Sequence, residues 1–319
     1  MKLSNEEKTD IKSLKKVGMS GRAIGRALRI PKSTVNDYLK ALSDVAPVET
    51  PDKPKILLHD IETAPAVAMV WGRFKQNIQQ AAVIKEGYTL SWAAQWYDED
   101  KPDNTTMFDS LPNYHGYVPD SKHLGDDQGV VQTLWDLYDE ADIIIGHNGD
   151  KFDIRKMNAR FALYGLPSPK PYKTVDTLKI ARTNFAFPSN RLDSLGEHLG
   201  FGRKEPTDFQ LWVDCMAGDE VAWDRMVSYN INDIKLLRDV YEKLRGWDKK
   251  HPNVGMLYGD DLERCTVCGS PDLESTGFHS RTNVSEFETM VCGNCGHNNR
   301  RRANNRSKSA MKATLMNSG

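Results

Sequence analysis

The sequence predicts an α/β protein: a mixed sheet covered by helices, with a small all-α module before it and a small cysteine-rich module after it. Three observations carry this. Between residues 55 and 248, apolar strand-like runs come first and helical patterns interleave later, which implies a mixed sheet. Residues 1–43 show three short runs at helical spacing and no strand pattern. Two Cys-x-x-Cys pairs lie close together near the C-terminus.

At the start, Ile11, Leu14 and Val17 recur at helical spacing and Gly18 marks a stop. Ser20 caps a second helix carrying Ala23, Ile24, Ala27 and Leu28. Pro31 with Ser33 or Thr34 opens a third, with Val35, Tyr38 and Leu39 facing inward. The phrase "MSGRAIGRALRIPKSTVNDYL" resembles the helix-turn-helix of resolvases and resolvase-like transposase subunits, and departs from it at Arg29, where that family has a glycine. In a DNA-binding reading the third helix enters the major groove. Lys32, Ser33, Thr34 and Asn36 then lie nearest the bases, and Arg22 and Arg26 near backbone phosphate. A tri-helical interaction module is the other reading. Residues 44–54, rich in proline and charge, read as a linker.

In the central region "ILLHDIETAP" is a buried strand ending in two acids. Strand residues two apart share a face, so Asp60 and Glu62 project together and Ile61 points the other way. Two carboxylates so close repel unless a cation joins them, and their oxygens suit Mg²⁺ or Mn²⁺. "YTLSWAAQWYDED" is a second strand, with "NTTMFDS" beside it. "VVQTLWDLYDEA" is a helix with Val131, Leu134, Leu137 and Tyr138 on one face. "DIIIGHN" is a buried strand running into "GDKFDIRKM", which opens a helix at Asp153. "YKTVDTLKIA" is a strand leading into a helix. "LDSLGEHLG" and "VAWDRMVSYNINDIKLLRDVYEKL" complete the region as helices, with Tyr229 and Asp233 four apart on one face. Cys215 reads as a small buried hydrophobe.

Taken in order, Asp60-x-Glu62, Asn148-x-x-x-Phe152-Asp153 and Tyr229-x-x-x-Asp233 resemble the three exonuclease motifs of the DEDD superfamily in its tyrosine variant. The middle motif is most similar in spelling to the proofreading domain of family-B DNA polymerases. The resemblance covers residues 55–248 and implies a ribonuclease H-like fold and 3′→5′ exonuclease activity. It further implies two catalytic Mg²⁺ or Mn²⁺ ions held by Asp60, Glu62, Asp153 and Asp233, with Asp60 bridging and Tyr229 orienting the attacking water. Asn148, Phe152 and Arg155 are candidate substrate contacts. Lys156 and Arg160 share the helix with Arg155, and a solvated basic face is the equal alternative for all three. Asp150 and Asp176 are rival carboxylates; Asp176 reads rather as a helix cap or a support for the ligands. His147 and His198 read as structural.

Cys265, Cys268, Cys292 and Cys295 can close a tetrahedral site around one structural Zn²⁺, because each Cys-x-x-Cys turn aims two thiolates at one point. The module, residues 258–299, resembles a zinc ribbon. A redox pair fits less well, with no thioredoxin-like βαβ unit around it. Residues 300–319 read as a basic, disordered tail.

Charge supports a nucleic-acid partner. Net charge is −1, but residues 1–43 and 296–319 each carry +6, leaving −13 for the centre. Basic ends attract phosphate and an acidic centre holds cations. DNA is favoured over RNA, since an RNA major groove does not admit a helix. A protein partner from replication, repair or recombination would fit the same modules. With no apolar stretch of membrane length and no signal-peptide pattern, the expectation is a soluble, cytoplasmic protein with no membrane partner. An exoribonuclease of the same superfamily and a DNA-binding regulator or adaptor that keeps a nuclease fold are the alternative functions.

Overall fold

A computed structural model describes residues 3–16, 21–44, 53–98, 105–111 and 126–316. Two units result, Met1–Asp52 and Lys53–Gly319.

The first unit holds α1 (Asn5–Lys16), α2 (Gly21–Leu28) and α3 (Lys32–Asp44). Ile11, Ile24, Ile30 and Val35 form its core, with Leu14, Leu28, Tyr38 and Leu39 packed on it. Ser4 and Glu7 cap α1 reciprocally: Ser4 N–H donates to Glu7 Oε2 at 2.7 Å, and Glu7 N–H to Ser4 Oγ at 3.2 Å. Arg29 takes a left-handed backbone, φ 56°, in the turn between α2 and α3. An arginine there bears the strain of a left-handed backbone. Val17, Gly18, Ser20 and linker residues 45–52 lie outside the described residues, as does the side chain of Arg22.

The second unit is built on β1 (Ile56–Thr63), the short pair β2 (Val67–Ala68) and β3 (Val83–Lys85), β4 (Thr89–Tyr97), β5 (Met107–Ser110), α4 (Gln128–Glu140), β6 (Ile143–Gly146), α5 (Asp153–Leu163), β7 (Lys173–Asp176), α6 (Thr177–Asn184), α7 (Leu192–Leu199), α8 (Phe209–Met216) and α9 (Glu220–Leu244). The main sheet runs β5-β4-β1-β6-β7. β1 is antiparallel to β4 and parallel to β6, and β6 is parallel to β7, so the sheet is mixed as the element order predicts. Its alternating faces feed two cores. Leu57 and Ile61 pack with Val131, Leu134 and Tyr138 of α4 and Met157 of α5. Ile56 and Leu58 pack with Ile180 of α6, Leu195 of α7 and Ile234, Leu237 and Tyr241 of α9. β1 is thus central, and its acidic end opens beneath α9.

A second sheet follows, β8 (Leu273–Arg281), β9 (Glu286–Cys292) and β10 (Asn298–Asn304), in the order β10-β9-β8, and α10 (Lys308–Lys312) comes after it. This corrects the reading of a disordered tail over residues 300–316, while residues 317–319 lie outside the described residues. The basic run is a paired strand because its charges find partners: Arg301 reaches Glu263 and Glu288, each at 2.7 Å, and Arg300 lies over the Phe287 ring. The three-stranded module also packs on the larger domain. His297 Nδ1 donates to the Gly246 carbonyl at 2.9 Å, and a Cβ on Gly246 would come within 2.4 Å of the Cys295 carbonyl oxygen. No helix among the described residues is long and apolar enough to cross a membrane.

Candidate metal and active site

The period of a strand does for Asp60 and Glu62 what the sequence predicts: both leave β1 on the face of α9, while Ile61 enters the opposite core. One carboxylate oxygen each from Asp60, Glu62 and Asp233 lie within 4.8 Å of one another. Asp153 stands outside that trio. It is buried at the first residue of α5, yet among neighbouring charges it acts most strongly on Asp60.

Neighbouring side chains hold each acid in place. Asn230 Nδ2 donates to Asp60 Oδ2 at 3.1 Å, and Asn230 Oδ1 accepts from Ser91 Oγ at 2.7 Å. Trp212 Nε1 donates to Glu62 Oε2 at 3.1 Å. Lys204 Nζ meets Asp233 Oδ2 at 2.5 Å, and the loop carrying it is pinned where Lys204 N–H donates to Asp193 Oδ1 at 3.0 Å. The other oxygen of Asp233, Oδ1, is buried without a hydrogen-bond partner.

Such crowding disfavours negative charge. Desolvation, then the Asp153, Glu62 and Asp233 carboxylates, push Asp60 well above the usual carboxylate range. Desolvation and Asp233 push Glu62 up to about 7. Desolvation raises Asp153 to about 6, against the backbone N–H groups of Asp153 and Ile61. Asp233 is raised by burial, with Lys204 opposing. Burial works against the Lys204 ammonium too, but Asp60 and Asp233 overcome it and hold the lysine charged. Tyr229, one turn before Asp233 and edge-on to Trp212, is raised by burial and then by Asp233, so its phenol stays protonated at neutral pH.

This donor set fits a hard divalent cation. Three mutually repelling carboxylates converge, one buried oxygen lacks any donor, and all the donors are oxygens. Lys204 supplies part of the missing positive charge. The four thiols fit Zn²⁺ independently. Cys265 Sγ lies 3.6 Å from Cys295 Sγ, and Cys268 Sγ 3.5 Å from Cys292 Sγ. These are near the ~3.8 Å edge of a tetrahedron with Zn–S bonds of 2.3 Å. Gly269 and Gly296 take φ 76° and 71° and close the two knuckles, donating N–H to the Cys265 and Cys292 carbonyls at 2.9 Å each. Val267 N–H and Asn299 Nδ2 donate to Cys265 Sγ at 3.4 and 3.5 Å, which favours a thiolate.

The remaining candidates separate clearly. Asn148 sits left-handed, φ 67°, and its N–H donates to Asp176 Oδ1 at 2.9 Å. Asp176 caps α6 through Leu178 N–H at 3.0 Å, and Asp150 pairs with Lys179, so both rivals are occupied structurally. Phe152 and Arg155 are exposed beside Asp153. Arg160 instead pairs with buried Asp127 and donates to the Tyr164 hydroxyl at 2.8 Å, so the basic face is not uniform. His147 bridges Thr177 Oγ1 and the Asn190 carbonyl, and His198 packs on Phe187. In the first unit Arg26, Lys32, Ser33 and Asn36 are exposed and Thr34 is half-buried.

Sequence reading missed Asn230, Trp212 and Lys204. Asn230 had a signal, since it lies three residues before Asp233 on the same helical face. Trp212 had one in the helical spacing of Leu211 and Cys215, the buried side of α8. Lys204 had none, because an irregular loop delivers it.

Residues 100–245 match the family model RNase_H_2 of the RNase_H superfamily. The chain carries a ribonuclease H-like domain. Within the ribonuclease H-like match lie Asp153, Tyr229 and Asp233, while β1 with Asp60 and Glu62 precedes it. No curated protein matches the chain. Among solved structures, the family B DNA polymerase from the hyperthermophilic archaeon Pyrobaculum calidifontis is similar at 16% identity and a TM-score of 0.42, over 60% of this chain. The chain spans about a quarter of that polymerase's length, 25%.

Proposed function

We propose that this protein is a metal-dependent 3′→5′ exonuclease acting on DNA, tethered by its helix-turn-helix and zinc ribbon. The observation that carries the reading is the convergence of Asp60, Glu62 and Asp233 within 4.8 Å, with Tyr229 beside them. The ribonuclease H-like fold supports a nuclease, and the order of the three motifs supports 3′ polarity.

Divalent ions bound by Asp60, Glu62 and Asp233, with Asp153 adjacent, would lower the pKa of water and neutralise charge on the scissile phosphate. The side chains do the rest. Asn230 fixes Asp60 through Ser91, so one oxygen is held and the other left to bind a cation. Trp212 does the same for Glu62. Tyr229, protonated at neutral pH, is a hydrogen-bond donor and acceptor that orients water rather than a base that deprotonates it. Lys204 keeps positive charge at the site and limits repulsion among the acids. Phe152 and Arg155 offer a ring and a cation to the terminal nucleotides.

Full-length protein with Mg²⁺ or Mn²⁺ should release mononucleotides from a 3′-labelled single strand of DNA. The Asp60→Ala, Glu62→Ala double variant should not. Equal degradation by the two proteins rejects the assignment. Release from RNA alone would move the substrate to the exoribonuclease alternative.

A further inference from the structure

Two residues after Glu62, the chain leaves the main sheet as a narrow arm. Ala64 N–H donates to the Tyr88 carbonyl at 2.8 Å and closes its base. β2 and β3 form its stem, with Val67 opposite Lys85, and Met69 N–H donates to the Ala82 carbonyl at 2.8 Å. Beyond the stem, the tip carries large apolar side chains in water: Trp71 is fully exposed, Phe74 84% and Met69 72% exposed. Three large apolar side chains left in water within six residues mark a candidate contact surface.

Its charge says which contact. Residues 64–88 hold Arg73, Lys75 and Lys85 against one acid, Glu86, and Glu86 is engaged by Gln80 Nε2 at 2.9 Å. A basic arm on an acidic domain attracts a polyanion, and Arg73 and Lys75 are exposed on either side of Phe74. Aromatic rings among cations suit a single strand, whose unpaired bases offer faces for stacking while its phosphates meet the charges. A duplex hides those faces. Eight residues lie between Glu62 and Trp71, so their nine backbone steps reach at most about 32 Å even if fully extended.

We propose that the 64–88 arm is a binding platform for single-stranded DNA, with Trp71 and Phe74 stacking on bases and Arg73 and Lys75 pairing with phosphates. The platform holds the strand that feeds the acidic cluster. That purpose rests on the exonuclease reading, but the binding does not need turnover.

The test uses full-length protein in an Asp60→Ala background, which keeps the strand intact, and a fluorescein-labelled oligothymidylate read by anisotropy. Trp71→Ala with Phe74→Ala should weaken binding about tenfold or more, by the usual worth of base stacking. Trp71→Phe with Phe74→Tyr should restore it to within about twofold, since rings remain. Blunt duplex binding should change little. Unaltered oligothymidylate affinity in the alanine variant overturns the proposal. So does a shift in sedimentation coefficient without a change in affinity, which would make the arm a self-association surface, or binding confined to RNA. Should wild type never degrade DNA while the alanine variant loses binding, the exonuclease reading falls and the platform stands. Degradation with unchanged binding gives the reverse.

Discussion

Lys204 and Asp233 meet as a partly buried ion pair, Nζ to Oδ2 at 2.5 Å, with Asp233 1% and Lys204 24% exposed. The lysine lies 29 residues before Asp233 in the chain and sits among carboxylates that otherwise repel one another. It is a built-in counter-ion.

Removing it should therefore destabilise the metal-free protein. Lys204→Met leaves Asp233 and Asp60 uncompensated, a loss of about 1–3 kcal/mol, below that of a fully buried pair because the lysine is partly exposed. Added Mn²⁺ should recover most of that loss. Urea unfolding with and without Mn²⁺ measures both. An equal loss in the two conditions would show that Lys204 acts through packing and not through charge.

Proton linkage gives a second expectation. Glu62 at about 7 and Asp153 at about 6 lie above the ~4 of unfolded carboxylates. The folded state therefore binds more protons than the unfolded chain between those values, and stability must fall as pH rises through that window. The metal-free protein should lose melting temperature from pH 5 to pH 8. A divalent cation competes with those protons, so the rise in melting temperature on adding Mg²⁺ should grow over the same range. A Mg²⁺ effect that shrinks with pH would contradict cation binding at these acids.

Asn230→Leu cuts the link from Ser91 to Asp60. Losing a residue that orients a metal ligand typically costs about 10–100-fold in metal affinity or activity. Nuclease rates titrated against Mn²⁺ should show a higher half-saturating concentration with a smaller change at saturation. A lower plateau with an unchanged half-point would place Asn230 at the substrate instead.

The thiol cluster predicts about one zinc per chain by elemental analysis, on the four-sulfur geometry. Cys292→Ala should lose that zinc and open the three-stranded sheet, read as new protease cleavage between residues 258 and 304. Full zinc content in this variant would require another ligand set.

The sequence showed the central strand, the helix opening at Asp153 and the Tyr229–Asp233 face because each obeys a simple period. Hydrophobic alternation marks β1, and a four-residue step marks α9. Lys204 was invisible because no period governs a loop, and its position depends on Asp193 in α7. The arm at 64–88 was hidden for a related reason: its stem pairs only two residues with three, too short to register as strands. The C-terminal basic run misled because composition reports charge and not partners. Arg301 finds Glu263 and Glu288 only once the strand is in place.

α9 ends at Leu244, eleven residues past Asp233, and Gly246 then presses against Cys295. Those eleven residues span about 17 Å of helix. A helical rod thus sets the stand-off between the acidic cluster and the four thiols. It works as a ruler with a phase. Inserting a single residue after Asp233 would lengthen it by about 1.5 Å and swing the thiolate module about 100° around the rod.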